Sequence, residues 1–187
     1  MDDVTARVAG LVLAAGAGRR FGRPKALVPG WLADRVGALL DGGCAPVLLV
    51  LGAAADRAAA LVPDGARVVV AEDWAEGIGA SLRAGLAAAG SLDPAPDAVL
   101  VALVDTPGLT SAAVRRLVAC GSPSALAQAT YSGRPGHPVL LGRDHWAGVA
   151  AVARGDRGAR DYLAGRGVGR VECGDVADGA DLDHPPR

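Results

Sequence analysis

The chain has 187 residues, half of them apolar, and 19 basic residues against 20 acidic ones leave a net charge of -1. That length suffices to bury a core as one domain spanning 1–187, and the even charge, with no basic stripe, argues against nucleic acid as a partner. Cys44, Cys120 and Cys173 are too widely spaced for a disulfide framework or paired zinc ligands, and they read as thiols of a reducing cytoplasm.

In chain order, the first apolar run, Val8 to Ala17, follows Asp2 and Asp3 rather than a positive n-region, so it reads as a buried strand and not as a signal peptide. No other apolar run approaches the roughly 20 residues of a membrane span, and a cytoplasmic monomer is expected. Strands are predicted at Val8 to Ala14, Val47 to Leu51, Arg67 to Ala71, Ala98 to Val104 and Ala125 to Thr130. Helices are predicted between them at Leu32 to Leu40, Asp56 to Leu61, Ala80 to Ala89 and Ser111 to Ala119. Apolar strands that alternate with helices indicate a parallel sheet covered on both faces, an α/β, Rossmann-like doubly wound fold. After Thr130 the segment YSGRPGHPVLLGRDHW, rich in glycine and proline, predicts a small hairpin excursion in the C-terminal third. A short helix at Gly158 to Leu163, a strand at Gly169 to Cys173 and an acidic tail follow.

Ligands of doubly wound sheets bind at the carboxyl ends of the strands, where the stretch LAAGAGRRFGRPKAL, residues 13–27, follows the first strand. Gly16, Gly18 and Gly22 admit close backbone approach, and Arg20 and Lys25 add positive charge, as a phosphate cradle requires. The chain has eighteen arginines, and Lys25 is its only lysine. An ammonium is a compact point charge where a guanidinium is a broad fork, so a lysine kept here suggests a site that a fork does not fit. The loop is not a Walker A loop, because Lys25 stands between Pro24 and Ala26. It is not the dinucleotide fingerprint either, because the third glycine comes one residue late. An ordinary glycine-rich turn with solvated cations is the simpler alternative.

The whole string resembles the LAAGxSxRMGxPK signature of the MobA-like nucleotidyltransferases, most closely the molybdenum cofactor cytidylyltransferase branch. DWAEGIGASLRAGL, VALVDTPGLT, GRPGHPVLL, GDRGAR and DLDHPP resemble later segments of that family in the family's order. The resemblance implies transfer of a nucleoside monophosphate from a triphosphate, CTP in that branch, to a phosphorylated acceptor such as molybdopterin. Pyrophosphate is released, magnesium is the cofactor, and contact with a molybdoenzyme is transient. It implies Lys25, Arg20 and Asp105 as catalytic residues. The nucleotide would lie against Leu13, Ala14, Ala15, Gly16 and Gly18 of the first loop, with Arg20, Lys25 and Asp105, and against Gly77, Gly79 and Ser81.

Asp105 and Asp183 are the expected metal ligands, since magnesium is held by one or two carboxylates plus substrate phosphates. Asp105 also reads as a turn residue ahead of Pro107, Asp183 as part of a solvated tail, and Ser81 as a helix cap. His137 is either the acceptor-side residue or a satisfied turn residue. Trp31, Trp74 and Trp146 read as packing residues, Trp74 being the possible exception, and His145 and His184 as surface residues. Phe21 stands where the family has methionine and Thr106 where it often has glutamine. DLDHPPR stands where it has D-x-D-T-P-E-D, which leaves Asp181, Asp183 or neither as the second metal ligand. Two other functions fit the same residues, a sugar-phosphate nucleotidyltransferase and a non-catalytic nucleotide-binding accessory protein; a dinucleotide-dependent oxidoreductase is disfavoured by the displaced third glycine and by Lys25.

Overall fold

The computed structural model describes residues 6–183. The first strand, β1 (Val8–Leu13), is buried along its whole length, as are β2 (Val47–Leu51) and nearly all of β4 (Ala98–Leu103). Uninterrupted Val, Leu and Ala runs give these strands no polar face to turn toward water, so both faces must be covered. Helices supply the cover. On one face Val12, Leu49 and Leu100 pack with Leu32, Val36 and Leu39 of α1 (Trp31–Asp41) and Val114 and Leu117 of α4 (Ser111–Val118). On the other, Leu11, Val50 and Val101 pack with Leu82 and Leu86 of α3 (Ile78–Gly90) and Val149 of α5 (Trp146–Val152). Two short helices, α2 (Ala55–Ala58) and α6 (Arg160–Leu163), complete the set.

The sheet has seven strands in the order β3-β2-β1-β4-β6-β5-β7, with β3 (Ala66–Val70) and β7 (Gly169–Glu172) at the edges. β1 pairs in parallel with β2 and β4, β2 with β3, and β5 (Leu126–Tyr131) with β7. The hairpin excursion joins this sheet. Its second strand, β6 (Arg134–Gly142), lies between β4 and β5 and runs antiparallel to both. The turn at Ser132 and Gly133 has positive φ at both residues, 52° and 77°, which suits the twist of a tight hairpin. The Glu172 carboxylate accepts both turn amides.

Pro135 and Pro138 obscure β6 in the sequence, and the pairing shows how a strand accommodates them. Gln128 is paired with Val139 and Thr130 with Pro135, so Gly136, His137 and Pro138 stand opposite Ala129 alone. Such a bulge bends the strand and re-aims a side chain, and it tolerates prolines that cannot donate to a ladder. No helix among the described residues is long and apolar enough to cross a membrane.

Candidate active site

The loop after β1 is fixed by its own backbone and by one aromatic anchor. The amide of Gly22 donates to the carbonyl of Gly18 at 2.8 Å, and a Cβ on Gly18 would lie 1.8 Å from the Arg23 carbonyl oxygen, so Gly18 serves the closure of the loop. Gly16, by contrast, has open space where a Cβ would stand, which leaves room for a ligand against its backbone. Phe21 is buried and tilts against Trp31 with ring centroids 5.5 Å apart, filling the place of the family's methionine with a larger apolar group. The turn beginning at Lys25 then brings its ammonium inward, 5.8 Å from the centre of the Phe21 ring.

Asp105 follows β4 on the turn Asp105-Thr106-Pro107-Gly108, and its Oδ2 accepts from Lys25 Nζ at 2.5 Å. Lys25 Nζ also lies 3.6 Å from Oδ1 of Asp183, whose Oδ2 accepts from Arg20 at 3.2 Å. Lys25 and Asp105 are each about 15% exposed at their side chains, whereas Arg20 is 76% exposed. The single lysine thus lies between two carboxylates in a half-dry pocket. A guanidinium there would have to spread its fork across both.

Asp183 reaches this point on a strap. After β7 the chain runs back across the carboxyl ends of the strands, held by Asp178 N–H to the Gly108 carbonyl (3.2 Å) and by the Thr110 hydroxyl to the Val176 carbonyl (2.9 Å). Leu182 N–H donates to the Asp105 carbonyl at 2.9 Å, so the residues on either side of Leu182 lie beside the Asp105 turn. Asp183 meets Lys25 and Arg20, while Asp181 lines only the larger of two adjoining cavities. His184 lies outside the described residues.

The smaller cavity, about 430 Å³, is lined by Leu13, Ala14, Ala15, Gly16, Gly18, Arg20 and Lys25, and opposite them by Trp74, Gly77, Ser81, Asp105 and Asp156. Gly79 is not in that lining. A Cβ there would come within 2.7 Å of the Arg154 backbone nitrogen, so its missing side chain serves the packing of α3 against residues 153–155. Ser81 is not a cap either. The helix starts after Gly77 with no side-chain cap, and Ser81 lies in its first turn, buried at the cavity wall. Gly77, with φ of 111°, also approaches the carbonyl of Gly155 too closely for a side chain. Arg83 ties this wall together by donating to the Ala153 carbonyl and to Glu76, each at 2.7 Å.

The larger cavity, about 940 Å³, opens on the other side of Lys25, Asp105 and Asp183. Its floor is aliphatic, from Leu82, Val101, Val139 and Leu141, and its rim carries Arg157, Arg160, Arg166 and Arg170. Arg157 is paired with Asp161 at 2.5 Å, and Arg166 lies 3.7 Å over the Tyr162 ring. Arg160 and Arg170 have no ion pair among the described residues. His137 enters this cavity from the bulge of β6, which Tyr131 Oη holds by donating to the His137 carbonyl at 2.6 Å. Burial pushes the His137 imidazole below its ordinary pKa, against the pull of Asp105 and Asp181 and with Arg160 adding to the depression. Burial thus favours the neutral imidazole, in which one ring nitrogen can accept a hydrogen bond. His145 is not a free surface residue, since its ring nitrogens meet Tyr162 Oη (2.9 Å) and the Ser124 carbonyl (3.0 Å).

Four further residues belong to this site: Asp156 and Arg160 fall in the GDRGAR segment and Trp74 beside the glycine-serine segment, signals that by themselves name no role, while Arg35 carries no signal. Asp156 borders both cavities, Trp74 walls the smaller one, and Arg160 lies on the rim of the larger. Arg35, buried beneath the Asp105 turn, is one arginine among eighteen on an amphipathic helix. For a metal, the donor set is two carboxylates, Asp105 and Asp183. No cluster of three His, Cys, Asp or Glu side chains occurs among the described residues. Two carboxylates fit a hard divalent cation that takes its remaining oxygens from phosphates and water, and they do not fit zinc.

A loop of glycines and cations after β1, a carboxylate after β4 and a cavity on each side of the lysine define a nucleotide-handling α/β enzyme. The chain belongs to the MobA-like NTP transferase family, whose domain model matches residues 10–171, and it is accordingly a nucleotidyltransferase. It is 39% identical to nicotine blue oxidoreductase of Paenarthrobacter nicotinovorans, over 94% of this chain and 92% of that one. It is 32% identical to molybdenum cofactor guanylyltransferase of Rhodobacter capsulatus, over 91% and 83%. Among solved structures it resembles the manganese complex of Rv0371C from Mycobacterium tuberculosis H37Rv, with TM-score 0.73, 28% identity and coverage of 89% and 88%. The family acts on a nucleoside triphosphate and a phosphorylated acceptor.

Proposed function

We propose that residues 1–187 act as one domain that transfers a nucleoside monophosphate, CMP by the branch resemblance, from its triphosphate to a phosphorylated acceptor such as molybdopterin. The observation that carries this reading is the position of Lys25, between Asp105 and Asp183 at the seam of two cavities. The smaller cavity receives the nucleotide, with its phosphates toward the backbone of Gly16 and the charges of Arg20 and Lys25. The larger receives the acceptor, whose phosphate finds Arg160 and Arg170 on the rim and whose body rests on the aliphatic floor. An acceptor phosphate oxygen attacks the α-phosphorus, the bond to the bridging oxygen breaks, and pyrophosphate departs. Asp105 and Asp183 would hold a magnesium ion, which would supply positive charge against the α-phosphate and the leaving group. Lys25 then trades its carboxylate partners for phosphate oxygens of donor and acceptor, which a mobile point charge does without reorienting a plane.

A second reading, that this cleft serves a redox reaction, rests on the name of the relative nicotine blue oxidoreductase. Melting temperatures with CTP, GTP, ATP, UTP and NAD, each with and without magnesium, separate the two. CTP with magnesium is expected to give the largest shift, about 2.7 kcal/mol of stabilisation at 100 times its dissociation constant. A larger shift with GTP would move the base and keep the reaction. Stabilisation by NAD, with none by any triphosphate at millimolar concentration, would overturn the reading in favour of the redox one.

A further inference from the structure

Beneath the Asp105 turn lies a buried charge with no part in the chemistry just described. Arg35 projects from the middle of α1 and is 4% exposed. Its guanidinium donates from one terminal nitrogen to the carbonyl of Thr106 and from the other to the carbonyl of Pro107, the latter at 3.3 Å. Its Nε is buried with no partner. Burying a guanidinium is costly unless its donors are used, and here a donor is left over, so core stability alone does not account for an arginine at this position. What the planar fork does provide is two parallel bonds to successive carbonyls of one turn, a geometry that fixes the plane of the peptide between them. Thr106 is buried as well, and its hydroxyl donates to the Leu103 carbonyl at 2.8 Å, which closes the turn onto the end of β4.

We infer that Arg35 is a positioning residue for the metal site, orienting the Asp105 carboxylate through the Thr106 and Pro107 carbonyls rather than by touching substrate. From the opposite side the same turn receives Leu182 N–H at the Asp105 carbonyl, so Arg35 and the strap hold it between them and thereby set the spacing of Asp105 and Asp183. A lysine at position 35 can reach one carbonyl and not both. The inference rests on the reading of Asp105 as a metal ligand.

The test is direct binding of Mn²⁺ to the full chain with α,β-methylene-CTP, read from the paramagnetic resonance of free Mn²⁺, for wild type, Arg35→Lys and Asp105→Asn. Partners that orient metal ligands are worth about 10 to 100-fold in metal affinity, and Arg35→Lys is expected to weaken Mn²⁺ binding within that range. Its affinity for the nucleotide without metal should stay within a few-fold of wild type, and turnover should recover as Mn²⁺ is raised to saturation. Should the lysine variant melt below the assay temperature, Arg35→Gln, a neutral donor of shorter reach, is read in the same way. Wild-type Mn²⁺ affinity in a folded Arg35 variant, with binding lost in Asp105→Asn, would refute the role of Arg35 alone. Unchanged binding in Asp105→Asn would refute the metal-ligand reading and this inference with it.

Discussion

Replacing Lys25 by methionine separates two functions that one ammonium now combines. The stem keeps its length, while the charge, and with it the ammonium's approach to the Phe21 ring, is lost. Lys25 Nζ lies 2.5 Å from Asp105 and 3.6 Å from Asp183, which bounds the separation of those two carboxylate oxygens at about 6.1 Å. At an effective dielectric constant of about 20, two like charges at that distance repel by on the order of 3 kcal/mol. A divalent cation that binds both carboxylates relieves this repulsion, and in the variant it no longer competes with an ammonium for them. Every 1.4 kcal/mol is a factor of ten, so even half of that energy gives Mn²⁺ about tenfold tighter binding in the absence of nucleotide. Turnover moves the other way. Loss of one preorganised electrostatic donor costs about 100 to 1,000-fold. Lys25→Arg keeps the charge and should leave Mn²⁺ affinity near wild type, while its turnover falls toward the same range because the fork cannot take the same point. Isothermal titration with Mn²⁺ and steady-state pyrophosphate release on the three proteins decide the matter. Equal or weaker Mn²⁺ binding in Lys25→Met would show that metal and lysine do not share the carboxylates.

Two further outcomes are expected. Gly79→Ala places a methyl 2.7 Å from the Arg154 nitrogen and 2.9 Å from the Ala153 carbonyl carbon, and overpacking of this kind costs roughly 1–3 kcal/mol. Its melting temperature should therefore fall by several degrees in a thermal scan, and an unchanged value would mean that residues 153–155 yield freely. Glu172 accepts from the amides of Gly133, Ser132 and Gly174 and from the Thr130 hydroxyl, which lowers its pKa from 4.5 to about 2. A depressed carboxylate stabilises the fold fully above its unfolded pKa and loses that contribution as pH falls through the folded one. The gap in melting temperature between wild type and Glu172→Gln should thus be full above pH 4.5 and close between there and pH 2. A gap independent of pH would show that the carboxylate charge is not what holds the hairpin turn.

The α/β arrangement was legible because its central strands are apolar throughout and its helices are not, a contrast that needs no tertiary information to read. Strand β6 was half hidden, because its prolines read as breakers until the partner strand shows that one of them flanks and the other lies within a bulge. The same bulge decides where His137 points, and no local pattern encodes it. Lys25 and Asp105 could be proposed as neighbours because each follows a strand of one parallel sheet and so stands at one edge. Gly79 misled for a physical reason: a glycine that admits a ligand and a glycine that admits a neighbouring backbone look identical in sequence. Arg35 carries no signal short of the fold, since what marks it is the turn above it, and Asp156 is visible in the sequence only as part of GDRGAR, whose place beside the cavities the fold alone shows.

The strap that carries Asp183 also fixes when the cleft is finished. Synthesis runs from the N-terminus, and roughly 80 residues separate Asp105 from Asp183, on the order of 4–16 s at about 5–20 residues per second. During that interval the nascent chain has the Arg20 and Lys25 loop and the first carboxylate, while β6, which pairs with β4 on its other edge, is still being made. It lacks the second carboxylate, the Asp156 wall of the smaller cavity and the clasp of Leu182 on the Asp105 turn. On the proposed mechanism the cleft is complete only when the strap docks, which ties the onset of activity to the delivery of the C-terminal segment.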